Sequence, residues 1–465
     1  MEMRRMRTPL NDLLAPADVE VALHGTAEAR AALYASVDSD KLQKIAGALP
    51  AEALAGQPEM RRMGAMSRFP QQVIMSDLRE AKLYRAIDSP RQLEEVLTDF
   101  WFNHFNVFDG KDRDAAMLAS YERDAIRPHV LGKFRDLLLA TARHPAMLYY
   151  LDNWQSMTPE IFDVGPFAPG PFPGPQGFGR QPHGLNENYG RELLELHTLG
   201  VNGGYTQQDV IEVARCFTGW TIRKPNEQPD FVFASFMHDA GEKTVLGHKI
   251  AAGGGEQDGL QVIEILSQHP STARYISTKL ARRFVADDPP AALIDSMAHT
   301  FVKTGGDLRA VMQTMLTSRE FFSEGAWQSK IKSPLEVVAS AVRALDVHPT
   351  DVFPFAQNVA EMGEPLYSHE SPNGYKDVSE AWLSTASVMA RIEFVRMLAS
   401  GKMPGVTADL SRLTGKDAAA VARDLLHREP AEQTLAAIAR GLQDKPSDPA
   451  LIATLVLSSP EFQRR

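Results

Sequence analysis

Apolar residues recur at helical spacing along most of the chain, and the sharpest polar–apolar contrasts sit in its middle third. Between Gln92 and Phe108, the residues Leu93, Leu97, Phe100, Trp101, His104 and Phe108 form one stripe, flanked by Asn103 and Asn106. Helix starts can be read from local chemistry. Ser89-Pro90-Arg91-Gln92 and Ser333-Pro334-Leu335-Glu336 each offer a capping residue, a proline at the first helical position and a Gln or Glu at the third. Thr206-Gln207-Gln208-Asp209 predicts another start, for a helix that Gly219 closes. Period-two alternation is confined to one stretch, where Phe231, Phe233 and Phe236 precede a glycine-containing turn and Thr244-Val245-Leu246. The pattern predicts a mainly α, multi-helical protein with two or three subdomains and one short β-hairpin near 231–250.

Breaks in the pattern divide the chain into an N-terminal helical segment (1–80), a motif-rich core (81–250), a helical subdomain (251–330) and a C-terminal helical subdomain (331–465). Gly165 to Gly184 is dense in Gly and Pro and is expected to be a long loop, a candidate lid over a site. Gly253-Gly254-Gly255 lacks the spacing and the preceding strand of a phosphate loop. Ala281 to Phe322 aligns without gaps on Ala422 to Gln463. Both copies close on Leu-x-Ser-x-Glu-Phe, which reads as an internal repeat of a structural helical hairpin.

Composition narrows the function classes. Lys plus Arg is 49 and Asp plus Glu is 59, for a net charge of −10 over 465 residues. An acidic balance disfavours nonspecific nucleic-acid binding, which needs cations to displace counterions from phosphate. Cys216 is the only cysteine, so neither an intramolecular disulfide nor a cysteine-based zinc cluster can form. Its neighbours Val213, Ala214 and Phe217 predict a buried, inert thiol. No stretch approaches the roughly 20 apolar residues of a transmembrane span. Thr8-Pro9-Leu10-Asn11-Asp12, after a basic start, is no apolar signal core, so the chain as written is expected to stay in the cytoplasm.

Candidate chemistry concentrates in Leu185 to His197. On a helix, Glu187, Arg191 and Glu195 form a polar stripe with Asn188 and Glu192 beside it, while Tyr189, Leu193, Leu194, Leu196 and His197 take the other side. The stripe is either a solvated (i, i+4) ladder or a carboxylate-rich wall of a cleft, with Asn186 and Asn188 at the mouth of the Gly/Pro loop. His197 lies on an apolar face, as does His104. If their helices pack together, the pair could serve as ligands or as an acid/base couple, although no local metal-binding spacing accompanies either. In Tyr121-Glu122-Arg123-Asp124-Ala125-Ile126-Arg127-Pro128-His129, Pro128 should kink the chain and leave Arg123, Asp124 and Arg127 near a helix end, where a buried Arg–Asp pair is the simplest reading. Tyr149, Tyr150, Asp152, Asn153, Trp154 and Gln155 mix aromatic faces with amide and carboxylate groups, a combination that suits sugar rings. His238, Asp239 and Lys243 read as isolated polar residues.

These segments resemble the bacterial family called domain of unknown function 1800. The matching stretches are Asp99 to Val107, Tyr121 to His129, His144 to Asn153, Leu185 to Gly200, and Gly203-Gly204-Tyr205-Thr206 through Gly219-Trp220, with weaker similarity from about Arg85 to Arg396. The resemblance implies no settled activity or catalytic set and specifies no cofactor. It implies export for many members, which makes a periplasmic or secreted location the alternative here. It also implies a protein of the domain of unknown function 1501 family as a possible partner.

Three readings follow. The first is an enzyme acting on an exported or cell-surface polymer, a glycan-hydrolase type with a polysaccharide substrate. Its candidate carboxylates are Glu187, Glu192 and Glu195, with Asp124 or Asp152 supplying a second carboxylate, because residues 187 and 195 lie about 12 Å apart along a helix axis. Asn103, Asn106, Arg123, Arg127, Asp152, Asn153, Trp154, Asn186, Asn188, Tyr189, Arg191 and Trp220 are the candidate substrate-binding residues. The second reading is a metal- or cofactor-dependent oxidoreductase using His104 and His197. The third is a noncatalytic binding or assembly partner.

Overall fold

The computed structural model describes residues 10–465 apart from 69, 112, 159–183, 226 and 443–447. The candidate lid therefore lies outside the described residues, except for Gly184. Helices dominate, and the strands form two antiparallel two-stranded sheets. The chain divides into two units. One holds the chain up to Pro90, Ile331–Leu366 and Trp382–Arg465; the other holds Arg91–Lys330 and Tyr367–Ala381. The segments 1–80 and 331–465 thus contribute mainly to the first unit, and almost all of 81–330 folds as the second.

In the first unit, the Ser39–Ala48 helix packs on Pro58–Arg68 around Ile45, Ala46 and Leu49. Arg61 joins its sequence-distant parts, donating to both oxygens of Asp351 at 2.7 and 2.9 Å and to Glu80 at 3.1 Å. Ser333 starts the Pro334–Ala344 helix with a capping box closed by Glu336, as its sequence predicts. Ser89 behaves differently. Its N–H bonds the Arg85 carbonyl at 3.0 Å, so it closes the Pro70–Asp88 helix instead of opening the next, which begins at Gln92 behind Arg91. The Pro449–Leu457 helix is N-capped by Asp448.

The second unit positions the candidate site. Its core is aromatic: Phe100, Trp101, Phe105, Phe134, Tyr189, Phe217 and Trp220 are nearly or fully buried. The Thr206–Asp209 capping box starts the Gln207–Phe217 helix. Two helical segments widen to π geometry, Tyr121–Ile126 and Leu193–Thr198, and both fall inside the motif segments. Such turns re-aim side chains and are frequent at functional sites. The hairpin expected near 231–250 is present, and among the described residues a second antiparallel pair precedes it. Asp230–Phe233 pairs back onto Trp220–Arg223, and Lys243–Val245 pairs with His248–Ile250 across Leu246-Gly247. The partner of the Phe231 strand, Trp220–Arg223, follows directly on a helix end, and its alternation of buried Trp220 and Ile222 with more open Thr221 and Arg223 spans only four residues, too short a run to mark a strand in the sequence.

A segment from late in the chain completes this unit. Asn103 donates to the Tyr375 carbonyl at 2.8 Å and accepts from its N–H at 2.6 Å, as a strand neighbour would. Asn106 donates to the carbonyls of His369 and Ser371 at 2.8 and 2.9 Å. Gly374 crosses here with φ +67°, and a Cβ at that position would come within 2.2 Å of the Asn103 carbonyl oxygen. Only glycine satisfies both demands.

Candidate functional site

The structure separates the candidate residues by environment. The Glu187 stripe is a half-exposed ladder: the side chains of Glu187 and Arg191 are 38% and 41% accessible and 3.6 Å apart. Both reach one further group, Gln207, which accepts from Arg191 at 2.8 Å and donates to Glu187 at 2.7 Å. Asn186 caps this helix by accepting from the Asn188 N–H, and both asparagine side chains donate to the Leu151 carbonyl. Tyr189 is buried edge-on against Phe217.

Further along, Glu192 is half-buried. Burial first, and then the neighbouring Glu195, push its carboxyl above the usual carboxylate range, against the pull of Arg191. Glu195 accepts from the Tyr205 hydroxyl at 3.1 Å. Tyr150 is near enough for Glu192 to help raise its phenol, which burial raises more. The Tyr150 hydroxyl donates to the Glu370 carbonyl at 2.6 Å. Close by, Lys111 bridges the Tyr150 carbonyl and Asp152, whose carboxylate is 2.8 Å from the ammonium and whose backbone takes φ +59°. Tyr149 and Trp154 stack with centroids 5.5 Å apart and planes 12° from parallel. Tyr150, Glu192, Glu195 and Tyr205 thus form a run of groups, each within reach of the next.

Other candidates hold the fold. Asn153 is fully buried and donates to the carbonyls of Phe217 and Trp220, both at 3.1 Å. Trp220 is fully buried among Phe217 and Phe231, with the Arg143 guanidinium 5.5 Å from its ring. Asn103 and Asn106 bind their own chain. The expectation of a buried Arg123–Asp124 pair is corrected: the two are bidentate partners at 2.6–2.7 Å, but exposed, because the π segment turns both outward. Half-buried Arg127 carries the pairing role instead, bidentate to Glu95 at 2.9 Å and 3.4 Å from the buried Glu122, which accepts from Tyr367. Removing a partner from such a network strands a buried charge.

His104 and His197 do meet. Their rings lie 6.3 Å apart between centroids, and His104 Nε2 is 3.1 Å from the His197 backbone oxygen. Burial, reinforced by the Lys279 ammonium, holds both imidazoles neutral, His197 down to about 3. His104 Nδ1 and His197 Nε2 have no hydrogen-bond partner among the described residues. Among those residues, no group of three or more His, Cys, Asp or Glu side chains could hold a metal ion.

Polar residues that look isolated in the sequence prove to be assembled. Fully buried Lys243 donates to Asp258 at 2.7 Å, and His238 Nε2 lies 3.1 Å from the same oxygen. His238 Nδ1 faces the Thr218 carbonyl at 2.8 Å, and Asp239 pairs with Arg215 at 2.7 Å. Asp258 carries no signal in the sequence, because it sits on the inward face of an otherwise ordinary amphipathic helix, Glu256–Gln268. Lys279, Tyr205 and Tyr275 were missed too; a lysine on the apolar stripe of a helix is the signal that could have found the first. Cys216 is buried, and burial raises its thiol, as befits an inert side chain.

The model of the family described as protein of unknown function (DUF1800) matches residues 10–464. The chain belongs to this family. Neither the curated proteins nor the solved structures contain a significant match. Among the described residues of this family member, no helix is long and apolar enough to cross a membrane.

Proposed function

We propose that this family member is an enzyme that hydrolyses a glycan of an exported or cell-surface polymer, with Glu192 and Glu195 as its working carboxylates. The observation that carries the reading is Glu192, half-buried and held toward its protonated form beside a second carboxylate. Glycoside hydrolysis needs one acid to protonate the leaving oxygen and one carboxylate to act as nucleophile or to activate water, and environments that differ between two neighbours provide this division. The two lie three positions apart, about 4.5 Å along a helix axis, a spacing within reach of either hydrolytic geometry once side chains extend. The stacked Tyr149 and Trp154 and the polar groups of Asp152 and Lys111 suit sugar faces and hydroxyls. The test is a panel of soluble polysaccharides assayed for new reducing ends. Activity is expected in the parent protein and lost in both Glu192→Gln and Glu195→Gln. A substrate cleaved equally well by both variants would defeat the assignment.

A second reading, docking to a partner such as a protein of the domain of unknown function 1501 family, draws on Phe322 and Trp327, which are 75% and 70% exposed. Co-purification of that partner with the parent protein, but not with Phe322→Ser, would support it; equal recovery with both would end it.

A further inference from the structure

We propose that Lys279, His104, His197 and Tyr275 form a second site, which captures the carbonyl group of a small aldehyde or ketone as an imine on Lys279 Nζ. The inference does not depend on the carboxylate reading.

Three elements converge here: the Gln92–His104 helix, the Leu193–Thr198 π segment and the Pro270–Phe284 helix. Tyr275 lies 6.2 Å from the His104 ring between centroids, and Lys279 Nζ lies 5.8 Å from the Tyr275 centroid. Gly200, with φ +81°, lets Tyr275 approach, since a Cβ there would sit 2.8 Å from the ring. Lys279 is partly buried, yet among the described residues it makes no hydrogen bond or ion pair. That is unusual for an ammonium withdrawn from water. By contrast, the buried Lys243 of the same unit is met by Asp258 and two carbonyls.

The charged and titratable groups around Lys279 are the two histidines, Arg282 on its own helix and Asp377 on the returning segment, the last bonded to Arg283. Burial lowers the Lys279 ammonium to about 8, with Arg282 adding to the effect and Asp377 opposing it. A usable fraction of free amine is therefore present near neutral pH. The imidazoles complete the chemistry. The His104 Nε2–H donates to the His197 carbonyl, which leaves His104 Nδ1 as a bare acceptor in a nearly sealed environment, and His197 Nε2 is likewise unpartnered. The Lys279 lone pair adds to the carbonyl carbon, forming the C–N bond while the π pair moves to oxygen. The two N–H protons then pass in turn from nitrogen to that oxygen by way of an imidazole that returns to its neutral form each time; the C–O bond breaks, the oxygen leaves as water, and the nitrogen lone pair closes the C=N bond. No oxidant or reductant is consumed.

The test is reductive trapping on the full-length protein with propionaldehyde and cyanoborohydride near neutral pH, read by peptide mass spectrometry. Two other lysines are internal references. Lys249 is 77% exposed. Lys332 is also lowered by burial to about 8, but it is bonded to Ser340 and has no histidine beside it. Lys279 is expected to be alkylated at least about tenfold faster than either reference, since free-amine fraction and proton transfer act together. His197→Gln is expected to remove that advantage. Lys279 reacting no faster than Lys332, or reacting at the parent rate in His197→Gln, would overturn the proposal.

Discussion

His104 Nε2 lies 3.1 Å from the backbone oxygen of His197, so one ring is anchored to the backbone of the other residue and its tautomer is set. The helical run ends at Thr198, and a carbonyl in a helix's last turn lacks an intrahelical partner, so that of His197 can accept from another element. The relationship ties two motif segments that are far apart in sequence, and it has consequences that can be measured.

The first is a pH dependence of stability. Both imidazoles are held below their ordinary value of 6.5, His197 to about 3, chiefly by burial. A lowered pKa means that the unfolded chain binds the proton more readily. The contribution is therefore fully present above pH 6.5 and is lost as pH falls toward about 3. Thermal unfolding followed by circular dichroism should show a midpoint that falls on acidification below 6.5, and His197→Asn should flatten that slope. An equal slope in the variant would count against a neutral buried ring.

Glu192 has the opposite sign. Its folded carboxyl is raised by burial and by Glu195, so it favours folding below the usual carboxylate range and gives up that advantage as pH rises through the elevated value. Glu192→Gln should therefore be at least as stable as the parent at neutral pH, with the gap narrowing on acidification. A variant markedly less stable at neutral pH would show that the carboxylate makes a bond the structure does not contain.

Asp258 accepts from Lys243 and faces His238 with neither side chain exposed. Asp258→Asn leaves a buried ammonium without its counter-charge, and the expected cost is about 3–5 kcal/mol in urea unfolding. A loss within experimental error would refute a buried Lys243–Asp258 ion pair.

The pinned segment offers a test of architecture. Asn103→Ala removes both bonds to Tyr375 and should cost about 1–3 kcal/mol. Gly374→Ala, which forces a side chain into a left-handed backbone and against the Asn103 carbonyl, should cost about 2 kcal/mol or more. Amide exchange should speed up across the pinned stretch in both variants; exchange confined to the mutated residue would refute the clamp.

Helical class, family membership and the helix starts at Thr206 and Ser333 were legible in the chain alone, because they rest on local regularities. A 3.6-residue period marks an amphipathic face, and Thr206 and Ser333 cap their helices through groups three residues away. The meeting of His104 and His197 could be posed from their apolar surroundings but not decided. What tertiary structure alone settled was which polar groups share an environment. His238, Lys243 and Asp258 carry no spacing signature, since they are joined by a hairpin and the inward face of the following helix. Asn103 and Asn106, which look like ligand contacts, turn out to hold a segment more than 260 residues away. Burial and partner choice, which set charge state, are properties of packing between distant segments, and no periodicity along a single helix encodes them.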